Sequence, residues 1–161
     1  MSALVLALSR AEIENSNCDL KNIIISIRSP GQRRAIVGQN TPADVLFLEF
    51  NDVDKAGRVW TLDGDTPVEP KLFNETEAKQ VVDFVNEWKD KVEIILCQCE
   101  AGISRSSGTA AAVCAILGQH QKDSEFWIGK NRYRLNTHVY KAITKAAGLM
   151  HFKGEEIEED N

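Results

Sequence analysis

The sequence predicts a three-layer α/β domain, with a central, mostly parallel sheet flanked by helices. Three observations carry that expectation. Short and nearly continuous apolar runs, at residues 22–27 and 92–97, have the composition of strands buried on both faces. Between them lies a longer segment whose apolar residues, Ala78, Val81, Val82, Val85 and Trp88, fall on one helical face. One strand also runs straight into a short glycine-containing loop that opens a helix, which places a site outside the carboxyl end of a strand.

The elements follow in chain order. Residues 3–8 read as a short buried strand, and Ser9-Arg-Ala-Glu12 is a capping box that opens a short helix to about residue 15. Residues 22–27, mostly isoleucine, form a central strand closed by Ser29-Pro-Gly31. Residues 45–50 are the next strand. The loop-like segment 51–72 carries Gly57, Gly64, Pro67, Pro70 and several aspartates, a length at which loops are often functional. Asn74-Glu-Thr-Glu77 caps a helix to about residue 89, residues 92–97 form a strand, and a small-residue helix spans about 104–119. A short helix is expected at 124–128 and a last one at 136–147, with Val139, Tyr140, Ile143 and Ala147 inward. The organisation is thus one domain over residues 1–153 and an acidic, disordered tail over 154–161.

Composition narrows the function. With 161 residues the chain can bury a real core, and its 43% hydrophobic and 27% charged content is that of a soluble protein. A formal net charge of −5 argues against nucleic acid and anionic membranes as partners, because both require a basic face. The arginines at 28, 33 and 34 read as a solvated loop. The N-terminal apolar stretch is short, lacks a basic leader and is followed at once by Arg10 and Glu12, so a signal peptide is not expected. No segment reaches the roughly 18 apolar residues of a membrane span. Four cysteines, at 18, 97, 99 and 114, make a poor disulfide framework, so the reducing cytoplasm is the expected compartment. Cys97 and Cys99 have a metal-like spacing, but His120, His138 and His151 are scattered and no metal or cofactor is expected.

The stretch Cys97-Gln-Cys-Glu-Ala-Gly-Ile-Ser-Arg-Ser-Ser-Gly108 carries the chemistry. A strand–loop–helix turn aims successive backbone N–H groups inward and adds the positive end of a helix, which makes an anion site. The same field favours the thiolate of a cysteine at its centre, so Cys99 is expected as an anion. Cys99-Glu-Ala-Gly-Ile-Ser-Arg-Ser106 resembles the phosphate-binding loop of the cysteine-dependent protein tyrosine phosphatases, Cys-x5-Arg-Ser/Thr. Size and element order most resemble the dual-specificity branch, over roughly residues 22–147, and Asn136-Thr-His-Val139 resembles the same helix start in small prokaryotic and phage proteins. The expected fold is therefore the three-layer phosphatase fold, with the Cys-x5-Arg loop between a strand and a helix.

That reading assigns roles. Cys99 attacks phosphorus in line to give a cysteinyl-phosphate. Arg105 presents a planar fork to two phosphate oxygens and stabilises transition-state charge. The backbone N–H groups of Glu100, Ala101, Gly102, Ile103, Ser104 and Arg105 bind the remaining oxygens, with Gly102 permitting the turn. By resemblance, Ser106 donates its hydroxyl to the thiolate; the alternative is a simple helix cap. A general acid for the leaving oxygen is taken in the family from a loop aspartate. Asp52, Asp54, Asp63 and Asp65 are candidates; the resemblance places the acid a few residues past the strand's last apolar position, here Phe50, which favours Asp54, with Asp52 second.

One departure stands out. The family's histidine before the nucleophile is replaced by Gln98, which can donate a hydrogen bond but cannot carry charge, so slower turnover is expected. Cys97 shares a strand face with Cys99 and reads as a core thiol, a protective disulfide between them being sterically awkward.

The resemblance implies a monomeric phosphomonoester hydrolase acting on a phosphorylated protein or a small phosphomonoester. Phosphotyrosine is the first expectation, and phosphoserine or phosphothreonine an extension. Polyanionic substrates fit less well with Glu100 in the loop and an acidic chain. The alternative is a pseudophosphatase that binds phosphate without turnover. Sulfurtransferases and arsenate reductases, which also use loop cysteines, place their loop differently or lack this Arg-Ser pair.

Overall fold

The computed structural model describes residues 3–37, 41–53, 70–119 and 133–149. They form β1 (Leu4–Leu8), α1 (Arg10–Glu14), β2 (Asn22–Arg28), β3 (Asp44–Glu49), α2 (Glu75–Trp88), β4 (Ile94–Gln98), α3 (Arg105–Ile116) and α4 (Thr137–Ala146). The expected short helix at 124–128, the tail and most of the long loop lie outside the described residues.

The four strands form one sheet in the order β1-β4-β2-β3, and every pairing is parallel. The strands β2 and β4 are interior, which explains why their sequences lack polar alternation. Both faces of each are covered, and Ile23, Ile24, Ile25 and Ile27 are all buried. Each such side chain contributes about 1.5–3 kcal/mol relative to exposure.

Alternation divides these residues between two cores. Val5, Ala7, Ile23, Ile25, Ile27, Ile95 and Cys97 pack beneath α2, α3 and α4. Ile24 and Leu96 face the other way, toward Ile13 of α1, Cys18 and Ala35. The sheet is thus flanked by helices, with a thick three-helix layer on one side and the short α1 with extended segments on the other.

Both capping boxes form as the sequence indicates. Ser9 and Glu12 exchange side-chain-to-backbone bonds at α1, and Asn74 and Glu77 do so at α2. β4 begins later than the apolar run and includes the polar Gln98, which stays in the ladder opposite Leu8 and Ser26. α3 stops at Ile116 because the Gly118 and Gln119 amides turn back to the carbonyls of Ala115 and Cys114, a Schellman turn. The crossing of α3 and α4 is close at Gly108, where a Cβ would sit 2.6 Å from the Asn136 carbonyl oxygen.

Among the described residues no helix is long and apolar enough to cross a membrane. β1 and β4 end level in the sheet, in the row Leu8–Gln98–Ser26, and β2 runs on to Arg28. The loop that follows β4 therefore emerges between the end of β1 and the last residues of β2.

Candidate functional site at the carboxyl edge of the sheet

Cys99 is the first residue beyond β4. Its N–H donates to the Leu8 carbonyl at 3.2 Å, so the nucleophile candidate leaves the sheet in a fixed direction. The chain then turns tightly, with Gly102 at φ 72°, and its N–H points back at Cys99 Sγ at 3.3 Å. A Cβ would strain that left-handed conformation. The loop closes on the sulfur from the far side too, where Ser106 Oγ lies 3.2 Å from Sγ. A protonated thiol donates across that contact, and a thiolate receives the hydroxyl proton instead. Ser106 is not the helix cap: the N-cap is Ser104, and its side chain makes no capping bond.

Arg105 opens α3 and is buried at 6% exposure. Its Nη1 donates to Ser29 Oγ at 3.0 Å and to the Phe50 carbonyl at 2.9 Å. These partners come from the chain just beyond β2 and β3, and they pin one edge of the guanidinium. The Nε is buried with no hydrogen-bond partner among the described residues. An unpaired buried donor is costly, and a bound oxyanion would satisfy it with a charge-assisted bond. The backbone N–H groups of Glu100, Ala101, Ile103 and Ser104 make no backbone–backbone bond among the described residues. Together with the α3 N-terminus they give the loop a positive interior suited to an anion.

Gln98 is buried and fully engaged. Its Nε2 donates to the Cys99 carbonyl at 3.0 Å and its Oε1 accepts from Ser26 Oγ at 2.6 Å. The side chain braces the base of the loop without contributing charge. Cys97 is completely buried as a free thiol beside the helices, and burial, then the nearby Cys114 and Cys99 sulfurs, push its thiol well above the usual range. It therefore stays protonated and unreactive.

Of the four candidate acids, Asp52 is placed against the loop. Its Oδ1 accepts from Ser104 Oγ at 2.8 Å and from Asn136 Nδ2 at 2.9 Å. Asp54, Asp63 and Asp65 lie outside the described residues. Glu100 turns away from the loop interior, where Arg10 Nε donates to its carboxylate at 2.9 Å. Its negative charge is thus paired locally and directed away from the loop interior.

Several contributors escape a reading of the sequence. Ser29 looks like part of a turn, the Phe50 contribution is a backbone carbonyl, and Arg10 belongs to a capping box. Asn136 is visible only as a helix start, a role it does fill, since its Oδ1 accepts from the Val139 N–H at 3.1 Å.

No family model and no curated protein matches this chain. Among solved structures it is similar to the human tyrosine phosphatase-like serine/threonine/tyrosine-interacting protein. The identity is 15%, the match covers 80% of this chain and 78% of that one, and the TM-score is 0.45. That likeness is too distant to carry activity or residue roles across.

Proposed function

We propose that the protein is a phosphomonoester hydrolase that works through a cysteinyl-phosphate, with phosphotyrosine in proteins as its first substrate class. The observation that carries this is the closure of the 99–106 loop on one sulfur. Gly102 N–H and Ser106 Oγ both lie against Cys99 Sγ, while Arg105 is pinned through Nη1 and keeps a buried, unpaired Nε.

The chemistry follows from that arrangement. The Cys99 sulfur lone pair forms the S–P bond as the P–O bond to the leaving group breaks, and the leaving oxygen takes a proton from an acid. The loop N–H groups and Arg105 hold the equatorial oxygens and stabilise the charge that builds on them. Water then attacks phosphorus, its proton passes to the conjugate base, and the S–P bond breaks to return the thiolate. The Ser106 hydroxyl lies where it would stabilise the departing sulfur.

A phosphate-binding protein without turnover is the second reading. It is favoured by the neutral Gln98 behind the nucleophile and by an Asp52 carboxylate already engaged by two protein donors. Hydrolysis of p-nitrophenyl phosphate separates the two. Wild type should turn over and Cys99→Ser should fall to background. Equal rates in both proteins would overturn the hydrolase, and tungstate binding without any Cys99-dependent turnover would establish the second reading.

A further inference from the structure

We propose that Ser29 is a positioning residue, whose uncharged hydroxyl sets the rotation of the Arg105 guanidinium so that its Nε–Nη2 edge faces the bound oxyanion. The inference rests on the hydrolase reading of the 99–106 loop.

A guanidinium carries its N–H groups on one rigid plane, and Nη1 has two of them. Both are spent on the protein, one on Ser29 Oγ at 3.0 Å and the other on the Phe50 carbonyl at 2.9 Å. One fork of parallel N–H groups is left, on Nε and Nη2, and Nε is buried with no partner among the described residues. Such a fork matches two oxygens of a phosphoryl group. A single acceptor on Nη1 would let the plane swing, and two acceptors fix it, so Ser29 is not redundant with Phe50. Both acceptors are also neutral. Among the described residues no carboxylate pairs with Arg105, so its positive charge is left for the anion.

The hydroxyl is presented by a fixed stretch of chain. Arg28 and Glu49 are register partners, and the Phe50 N–H donates to the Arg28 carbonyl at 3.0 Å, so Ser29 and Phe50 leave neighbouring strands at one level. Ser29-Pro-Gly-Gln32 then closes as a type II turn. The Gln32 N–H donates to the Ser29 carbonyl at 3.1 Å, Pro30 presets the second position, and Gly31 takes φ 87° at the third. Gln32 Oε1 accepts from the Ser29 N–H at 3.2 Å, which closes the turn a second time. Further on, the Ile36 N–H donates to Glu14 at 2.9 Å and Ala35 is buried, so the far end is anchored on α1. The turn is closed through the backbone of Ser29. Its hydroxyl takes no part in that closure and can be removed with the turn intact.

The test compares Ser29→Ala, Ser29→Thr and Ser29→Asp with wild type, with urea unfolding to establish that each is folded. The measurements are kcat and KM for p-nitrophenyl phosphate and phenyl phosphate, together with tungstate affinity by calorimetry. Ser29→Ala should lose about tenfold in kcat/KM and in tungstate affinity, the size expected for a bond to a charged group. The loss should be equal for the two aryl phosphates, because Arg105 holds the transferred group and not the leaving group. Ser29→Thr keeps the hydroxyl and should stay within about threefold of wild type. Ser29→Asp holds the guanidinium but offsets its charge, and should weaken tungstate at least as much as Ser29→Ala.

Unchanged tungstate affinity in Ser29→Ala would overturn the proposal, as would a loss that Ser29→Thr shares in full. Tungstate binding by Ser29→Asp as tight as that of wild type would overturn it too, since the neutrality of the hydroxyl would then not matter. If Ser29→Ala does not fold, Ser29→Thr and Ser29→Asp decide it by the same criteria. If wild type turns over neither substrate, the hydrolase reading fails separately and the proposal is judged on tungstate alone. A wild type that binds no tungstate overturns the proposal itself.

Discussion

The two halves of the 99–106 loop are held by different physics. The leading half, Cys99 and Glu100, is an extension of the sheet. Cys99 N–H bonds the Leu8 carbonyl and the Glu100 carbonyl accepts from Arg10 N–H, so backbone groups of adjacent residues do the fastening. Its side-chain ties are few: Gln98 to the Cys99 carbonyl, Cys99 Sγ to Ser106, and the Arg10–Glu100 ion pair, which is partly exposed, at 14% and 47%. The trailing half, residues 103–105, is held from positions far apart in the chain: by the Ser29 and Asp52 side chains, the Phe50 carbonyl, and the backbone N–H groups of Arg134 and Asn136. A backbone ladder tolerates changes in the side chains that flank it. A partly buried polar cluster weakens when one member is removed, because the rest lose their partners.

The comparison breaks most readily at Gly108. An added methyl there would meet the Asn136 carbonyl oxygen, a backbone atom that cannot swing aside. Gly108→Ala should therefore destabilise the fold by about 1–3 kcal/mol, as overpacking does, and push α4 off the trailing half. Urea unfolding measures the first effect. The second appears as weaker tungstate binding at temperatures where the variant is fully folded. Unchanged stability and unchanged affinity together would show that the α4 contact does not hold the loop.

At the small end lies the ion pair of the leading half. Glu100→Gln should change stability by less than about 1 kcal/mol and leave kcat on p-nitrophenyl phosphate within about twofold, with any difference fading at high salt. A loss as large as that expected for the trailing half would mean that the leading half also depends on its side chains, and the contrast would collapse.

What the sequence reveals tracks the same division. Features written in neighbouring residues are legible: the capping boxes at Ser9–Glu12 and Asn74–Glu77, the isoleucine strand at 22–28, and the strand–loop–helix around Cys99. Each depends on propensity, capping or periodicity, which act within a few residues. The polar cluster at 52, 104 and 136 is not legible, because polar loop residues show no period and their meeting depends on the placement of β3 and α4 around the loop. Gln98 is half legible. Its lack of charge can be read directly, but its partner Ser26 sits 72 residues away and is met only because β2 and β4 are neighbours. The aspartate preferred from its distance to the strand's end, Asp54, lies outside the described residues, and the one seen at the loop is Asp52.

The most direct measurement is to trap the phosphoenzyme. Wild type mixed with an aryl phosphate is quenched in acid within its first turnovers, and the tryptic peptide of residues 92–105 is sequenced by mass spectrometry. The expected result is a phosphoryl group on Cys99, absent from Cys97, whose buried thiol stays protonated, and absent altogether in Cys99→Ser. Steady hydrolysis with no adduct on Cys99, or with the phosphoryl group on any other residue, would contradict it.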